Sequence, residues 1–154
     1  FWKMTPPLRG LADRQALIDG LLDGTIDCIA TDHAPHGLEE KQQSFLNAPF
    51  GIVGSETAFQ LIYTNFVETG IFTLEQVIDW MAVKPAEIFG LNAGTLTIGA
   101  PADIAVFDLA TAAPIDAEAF ESMAVNTPFT GWTVKGKTLM TFVDGALAWS
   151  EEAQ

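Results

Sequence analysis

The sequence predicts an α/β protein, on two observations. Helix and strand signals alternate over roughly the first ninety residues, and strand and turn signals dominate after about residue 91. Apolar residues make up 49% and charged residues 18% of the chain, a balance that supports a buried core.

The elements follow in order. Leu8 to Gly24 has a helical centre: Asp13 is placed to act as the N-cap, Leu17, Leu21 and Leu22 share a face, and Gly24 is a natural stop. Thr25 to Ala30 is short and rich in β-branched and small apolar residues, so a buried strand is expected there. Residues 37–54, with Pro49 and several glycines, are expected to form a loop over a site. A helix is expected from about Glu56 to Glu68, with Phe59, Ile62, Tyr63 and Phe66 on one face. Thr73 and Gln76 have the spacing of a capping box, ahead of Val77, Ile78, Trp80 and Met81. Pro85 opens a short helix that ends near Gly90. Asn92 to Gly99 is rich in turn residues. Strands are expected over 103–108, 133–137 and 139–143, and Asp144-Gly145 is a hairpin turn leading into 146–149.

Charge and composition exclude some functions. Twenty acidic against seven basic residues give a net charge of −13, which repels phosphate backbones and argues against nucleic-acid binding. No apolar run reaches the length of a membrane span. Cys28 is the single cysteine, so an internal disulfide is impossible, and a cytoplasmic setting fits. The chain begins with Phe, and Lys3-Met4-Thr5-Pro6-Pro7 reads as the middle of a loop, so a piece of a longer protein is expected.

The chemical centre is Thr31-Asp32-His33-Ala34-Pro35-His36, placed at the C-terminal tip of the expected strand. A carboxylate at such a tip can bind a metal and can also carry a proton. Asp-His pairs at strand ends also form turns and caps, and spacing alone weighs the two readings about equally. His33 and His36 have metal-ligand character, yet they are the only histidines, and two histidines cannot close a four-coordinate site. Cys28 reads as a packed core thiol, Glu39-Glu40 and Glu151-Glu152 as solvated, and the aromatics of 56–89 as core. Gly51 and Gly54 suit either turns or a close backbone approach to a ligand, and by themselves favour turns.

Several segments, in this order, resemble the dihydroorotases of the amidohydrolase superfamily, in the bacterial type with a separate β domain. They are Lys3-Met4-Thr5-Pro6-Pro7-Leu8-Arg9, Asp23 to Asp27, Ala30 to His36, Ala48 to Phe59, Lys84-Pro85-Ala86, Gly99 to Asp103 and Asn126-Thr127-Pro128-Phe129. The resemblance implies the C-terminal portion of a (β/α)8 TIM-type barrel over residues 1–90, followed over 91–154 by part of a small β-sandwich domain. A whole barrel takes roughly 250 residues, more than this chain has.

The implied activity is zinc-dependent, reversible hydrolysis of L-dihydroorotate to N-carbamoyl-L-aspartate in pyrimidine biosynthesis, with one or two Zn2+ ions per intact subunit. Asp32 maps onto the metal ligand and proton carrier, and His36, Phe50 and Gly51 onto substrate-binding positions. The last assignment reverses the turn preference at Gly51. The family's substrate asparagine maps onto Thr5, a departure that puts a shorter hydroxyl in place of an amide. The family's His-x-His motif and remaining metal ligands have no counterpart here, so this chain alone is expected to be inactive. A small-molecule substrate is implied, with a homodimer or association with aspartate transcarbamoylase as possible assemblies. The competing readings are another cyclic amidohydrolase, such as a hydantoinase or allantoinase, and a non-catalytic dihydroorotase-like partner of aspartate transcarbamoylase. A stand-alone β-rich binding module fits the first ninety residues poorly.

Overall fold

The computed structural model describes residues 2–153. Packing gathers residues up to 26, 30–59 and 114–133 into one compact unit, and 27–29, 60–113 and 134 onwards into a second. The two interleave along the chain, so this grouping differs from the change of character near residue 91. That change is visible instead in the secondary structure, where the five α-helices precede residue 90 and the five strands follow residue 103.

In the first unit, helix α1 (Leu11–Leu22) starts at Gly10, not at Asp13. Asp13 lies in the first turn, and its Oδ2 accepts the Gly10 N–H at 3.3 Å, which corrects its expected role as the N-cap. A carboxylate there still satisfies an orphan donor at the helix start. Ile18 is the apolar side chain that α1 buries, while Leu17 and Leu22 are largely exposed. Gly20 lets Ile26 pack closely, since a Cβ there would sit 3.0 Å from Ile26 Cδ1.

Thr25 to Ala30 is not a strand, and its side chains are half-buried or exposed. A strand exists by pairing, and no neighbour among the described residues offers a ladder to this segment. Further on, Ala34 N–H donates to the Ile52 carbonyl at 2.9 Å, and His33 and Ile52 form an isolated parallel bridge. The expected loop over 37–54 contains one helical turn, α2 (Leu38–Lys41), started by Gly37. The apolar core of this unit includes Ile18, Ile52, Val53 and Ile115, and it also holds the buried polar residues Lys41, Thr57, Asn126 and Thr127.

Helix α3 (Ala58–Ile62) runs on as a π-helical turn, Tyr63–Val67. In the second unit, α4 (Leu74–Ile78), a π-helical turn (Asp79–Val83) and α5 (Lys84–Phe89) follow one another without a break. The capping box is present: Thr73 Oγ1 accepts the Gln76 N–H at 3.2 Å, and Gln76 Oε1 accepts the Thr73 N–H at 2.8 Å. Pro85 lies in the first turn of α5, and Gly90 ends it in the left-handed conformation at φ 64°. Phe72 stacks on Phe66 at 5.1 Å between centroids and meets Trp80 edge-on at 4.9 Å, and both Phe72 and Trp80 are buried. Phe72 and Trp80 therefore form core as their spacing predicts, with Phe59, Tyr63 and Phe66 half-buried, whereas Phe89, at the end of α5, is exposed, which corrects its expected place in the core.

Strands β1 (Ile104–Asp108), β4 (Lys137–Val143) and β5 (Ala146–Ser150) make an antiparallel sheet in the order β1-β4-β5. Ile104 faces Phe142, and Val143 faces Ala146. The hairpin turns at Asp144-Gly145, both with positive φ (48° and 78°), the pairing that a two-residue turn between twisted strands requires. Strands β2 (Ala113–Pro114) and β3 (Thr133–Val134) form a separate two-stranded sheet, so the strand expected over 133–137 is cut to two residues.

Candidate functional site

Asp32 sits in the left-handed region at φ 47°, with an exposed side chain. Non-glycine residues rarely hold this conformation without support. Its neighbours supply that support. His33 Nδ1 lies 3.2 Å from the Gly54 N–H nitrogen, 3.2 Å from that of Ser55 and 3.0 Å from Ser55 Oγ. Gly54 leaves no room for a side chain, because a Cβ there would lie 2.8 Å from the Thr31 carbonyl oxygen.

His36 is bound on three sides. Its backbone N–H donates to Asn126 Oδ1 at 3.2 Å, its Nε2 lies 2.9 Å from the Phe50 carbonyl oxygen, and its Nδ1 is 3.7 Å from Glu40 Oε2. A carbonyl oxygen only accepts, so Nε2 carries a proton. Phe50 is about half exposed and lies under the Lys3 ammonium, 4.3 Å from its ring centroid, within reach of a cation–π attraction.

At Gly51 the backbone makes a close approach, but to this chain and not to a ligand. Its φ of 128° suits glycine, and a Cβ would meet Ala34 Cβ at 2.5 Å and the Ala34 carbonyl oxygen at 2.8 Å. The close neighbour is thus this chain's own backbone. The Gly51 N–H donates to the Lys3 carbonyl at 2.9 Å, and its carbonyl accepts from Lys41 Nζ at 2.9 Å and Asn126 Nδ2 at 3.0 Å. Thr5 is exposed, beside the cis Thr5-Pro6 bond.

Sequence reasoning missed the residue that ties this loop together. Lys41 is fully buried, and its ammonium donates to the carbonyls of Lys3 (3.0 Å), Pro49 (2.9 Å) and Gly51 (2.9 Å). Three donors meet three acceptors without a carboxylate. Burial, and then the charge of Lys3, hold its proton affinity below the usual lysine range. Nothing in the run Glu39-Glu40-Lys41 marks it. Asn126 had a signal, since it opens the Asn-Thr-Pro-Phe segment, and it bonds to both His36 and Gly51 while its carbonyl accepts the Val53 N–H at 3.0 Å. Glu56, also unsuspected, accepts from the backbone N–H groups of Glu121 (2.8 Å) and Ser122 (3.1 Å).

The donor set bears on the implied zinc. The exposed Asp32 carboxylate fits one metal ligand, whereas His33 Nδ1 and His36 Nε2 are both engaged within the chain. Among the described residues, no three of His, Cys, Asp and Glu converge as a metal site would require. These residues fit a contribution to a zinc site, not a whole one. No described helix is long and apolar enough to cross a membrane.

Comparison with known proteins extends this picture. The sequence is 99% identical over its whole length to a dihydroorotase of Enterococcus faecalis and covers 36% of that protein. It is 61% identical over 150 residues to a dihydroorotase of Bacillus caldolyticus and covers 35% of it. The chain therefore spans about a third of the length of the curated relatives it matches. Among solved structures, an L-hydantoinase (dihydropyrimidinase) from Arthrobacter aurescens superposes with a TM-score of 0.88 at 33% identity, over 97% of this chain and 34% of that one. A D-hydantoinase (dihydropyrimidinase) from Thermus sp. gives 0.88 at 30% identity over 97% and 34%. The fold is thus one part of a TIM-barrel-superfamily hydrolase. With the amidohydrolase family model matching residues 8–148, the chain belongs to the amidohydrolase family.

Proposed function

We propose that this chain is the C-terminal part of a dihydroorotase, which hydrolyses L-dihydroorotate reversibly to N-carbamoyl-L-aspartate in the cytoplasm. Residues 1–90 would complete its barrel, and 91–154 would belong to its β domain. The observation that carries this reading is the exposed Asp32 carboxylate, held at φ 47° while its histidine neighbours are engaged. The 99% identity to a dihydroorotase supports the choice of substrate.

Asp32 would give one oxygen to a zinc ion whose other ligands come from the rest of the longer protein. When bound, zinc acidifies a water and polarises the amide carbonyl. Asp32 takes the proton of the attacking water and hands it to the departing ring nitrogen. One carboxylate can serve both steps because it stays beside the reacting atoms. His36 binds or orients the substrate carboxylate, exchanging the Phe50 carbonyl for it as the substrate enters. Phe50 and Gly51 line the ring. The Thr5 hydroxyl would take the place that the resemblance gives to a substrate-binding asparagine.

A second reading keeps the chemistry and changes the ring: a hydantoinase, favoured by the two solved neighbours at 33% and 30% identity. Competition between dihydroorotate and hydantoin separates the two. Assembly as a homodimer or with aspartate transcarbamoylase is a further proposal, checked by light scattering of the longer protein with and without that enzyme. The central test is Asp32→Ala in the full-length protein, for which we expect at least a ~1,000-fold loss of turnover with dihydroorotate. Retained turnover rejects the assignment.

A further inference from the structure

We propose that His33 is a positioning residue for Asp32 and not a zinc ligand, a reading that rests on the role of Asp32 proposed above. The backbone N–H groups of Gly54 and Ser55 can only donate, and both point at His33 Nδ1, each 3.2 Å away. Nδ1 is therefore the bare, accepting nitrogen, and Nε2 carries the proton. Ser55 Oγ, at 3.0 Å, donates to the same nitrogen. Such a ring has no free lone pair: one nitrogen is occupied and the other is protonated. It cannot ligate a metal without giving up these bonds.

The bonds instead clamp the stretch that carries Asp32. Residues 31–34 lie directly against 52–55. The Ala34 N–H donates to the Ile52 carbonyl at 2.9 Å, His33 bridges Ile52, and Gly54 packs on the Thr31 carbonyl with no room for a Cβ. The backbone holds one end of this stretch, and the His33 side chain holds the middle. Asp32, at φ 47°, is the strained residue inside the clamp. Such strain persists only where the surroundings over-determine it. Removing the imidazole leaves two backbone donors without their acceptor and frees Asp32 to relax, which re-aims its carboxylate.

The test uses the full-length protein that contains these residues. Nitrogen NMR of the histidine ring is expected to show the Nε2–H tautomer at His33, and a protonated Nδ1 overturns the proposal even if no variant folds. For His33→Ala we expect turnover to fall about 100-fold and KM to move less than about threefold. His33→Asn puts an amide oxygen near the place of Nδ1 and should recover about tenfold of that loss. No recovery in His33→Asn sinks the proposal. Asp32→Ala, assayed in parallel, keeps the two ideas apart. If it stays active, the reading of Asp32 fails, while the tautomer still reports on His33.

Discussion

Each buried polar side chain among the described residues, Lys41, Thr57, Asn126 and Thr127, lies in the unit that carries Asp32. The other unit buries Phe72, Val77, Trp80, Ala86 and Val134. The first is held by directional bonds from side chains to backbone carbonyls and amides. The second is held by ring packing, a capped helix and an antiparallel ladder. An apolar core accepts repacking at small cost, whereas a hydrogen-bonded one fixes where each carbonyl points. The difference teaches that this chain spends its polar burial where loop geometry matters, around 31–36 and 49–55.

Removing the buried Trp80 ring from the apolar unit tests the comparison first. Trp80→Ala should destabilise the full-length protein by about 4 kcal/mol, read from the urea midpoint. Loop geometry should survive in whatever fraction stays folded, so KM should hardly change. Lys41→Met comes next. It takes one donor from each of three carbonyls: those of Lys3 and Gly51 keep a second partner, and that of Pro49 loses its donor among the described residues, so we expect a loss of about 3 kcal/mol together with a raised KM.

Lys41 also has a pH signature. Its folded-state proton affinity lies below the ordinary value of 10.5, so over that interval the unfolded chain binds more protons. The Lys41 contribution therefore makes stability rise as pH climbs towards 10.5, and Lys41→Met should flatten that rise. Lys84 and Lys135 behave oppositely. Their ion pairs with Glu87 and Glu68 raise their proton affinity above 10.5, so their contribution is present below that pH and fades above it. Denaturation curves across the alkaline range read both signs. The smallest effect is expected at Thr73→Ala, which removes one cap and should cost about 1 kcal/mol. If that loss exceeds the loss at Lys41, the contrast between the units is wrong.

What the sequence revealed follows the range of the forces involved. The Thr73–Gln76 box, the Gly90 stop and the Asp144-Gly145 hairpin are decided within four residues, and all three are present. Asp13 was misread because a glycine N-cap leaves no side-chain signal of its own. Thr25 to Ala30 has strand composition, but strand structure depends on a neighbour that composition does not contain. Asp32 and the loop at Gly51 stood out through motif resemblance. Lys41 was invisible because its burial depends on carbonyls 38, 8 and 10 residues away. No local pattern encodes such a convergence.

The contact between Gly51 and Ala34 also constrains how this site can evolve. With only 2.5 Å between a hypothetical Cβ at 51 and the methyl of Ala34, neither position can gain bulk unless the other backbone retreats. The two residues should vary together or not at all. New specificity must then come from side chains that project beyond this fixed frame. Phe50, one residue away and half exposed, is such a place. Exchanging its ring changes what a substrate meets without disturbing the loop that carries it, so divergence among descendants is expected to collect at 50 while 34 and 51 stand still.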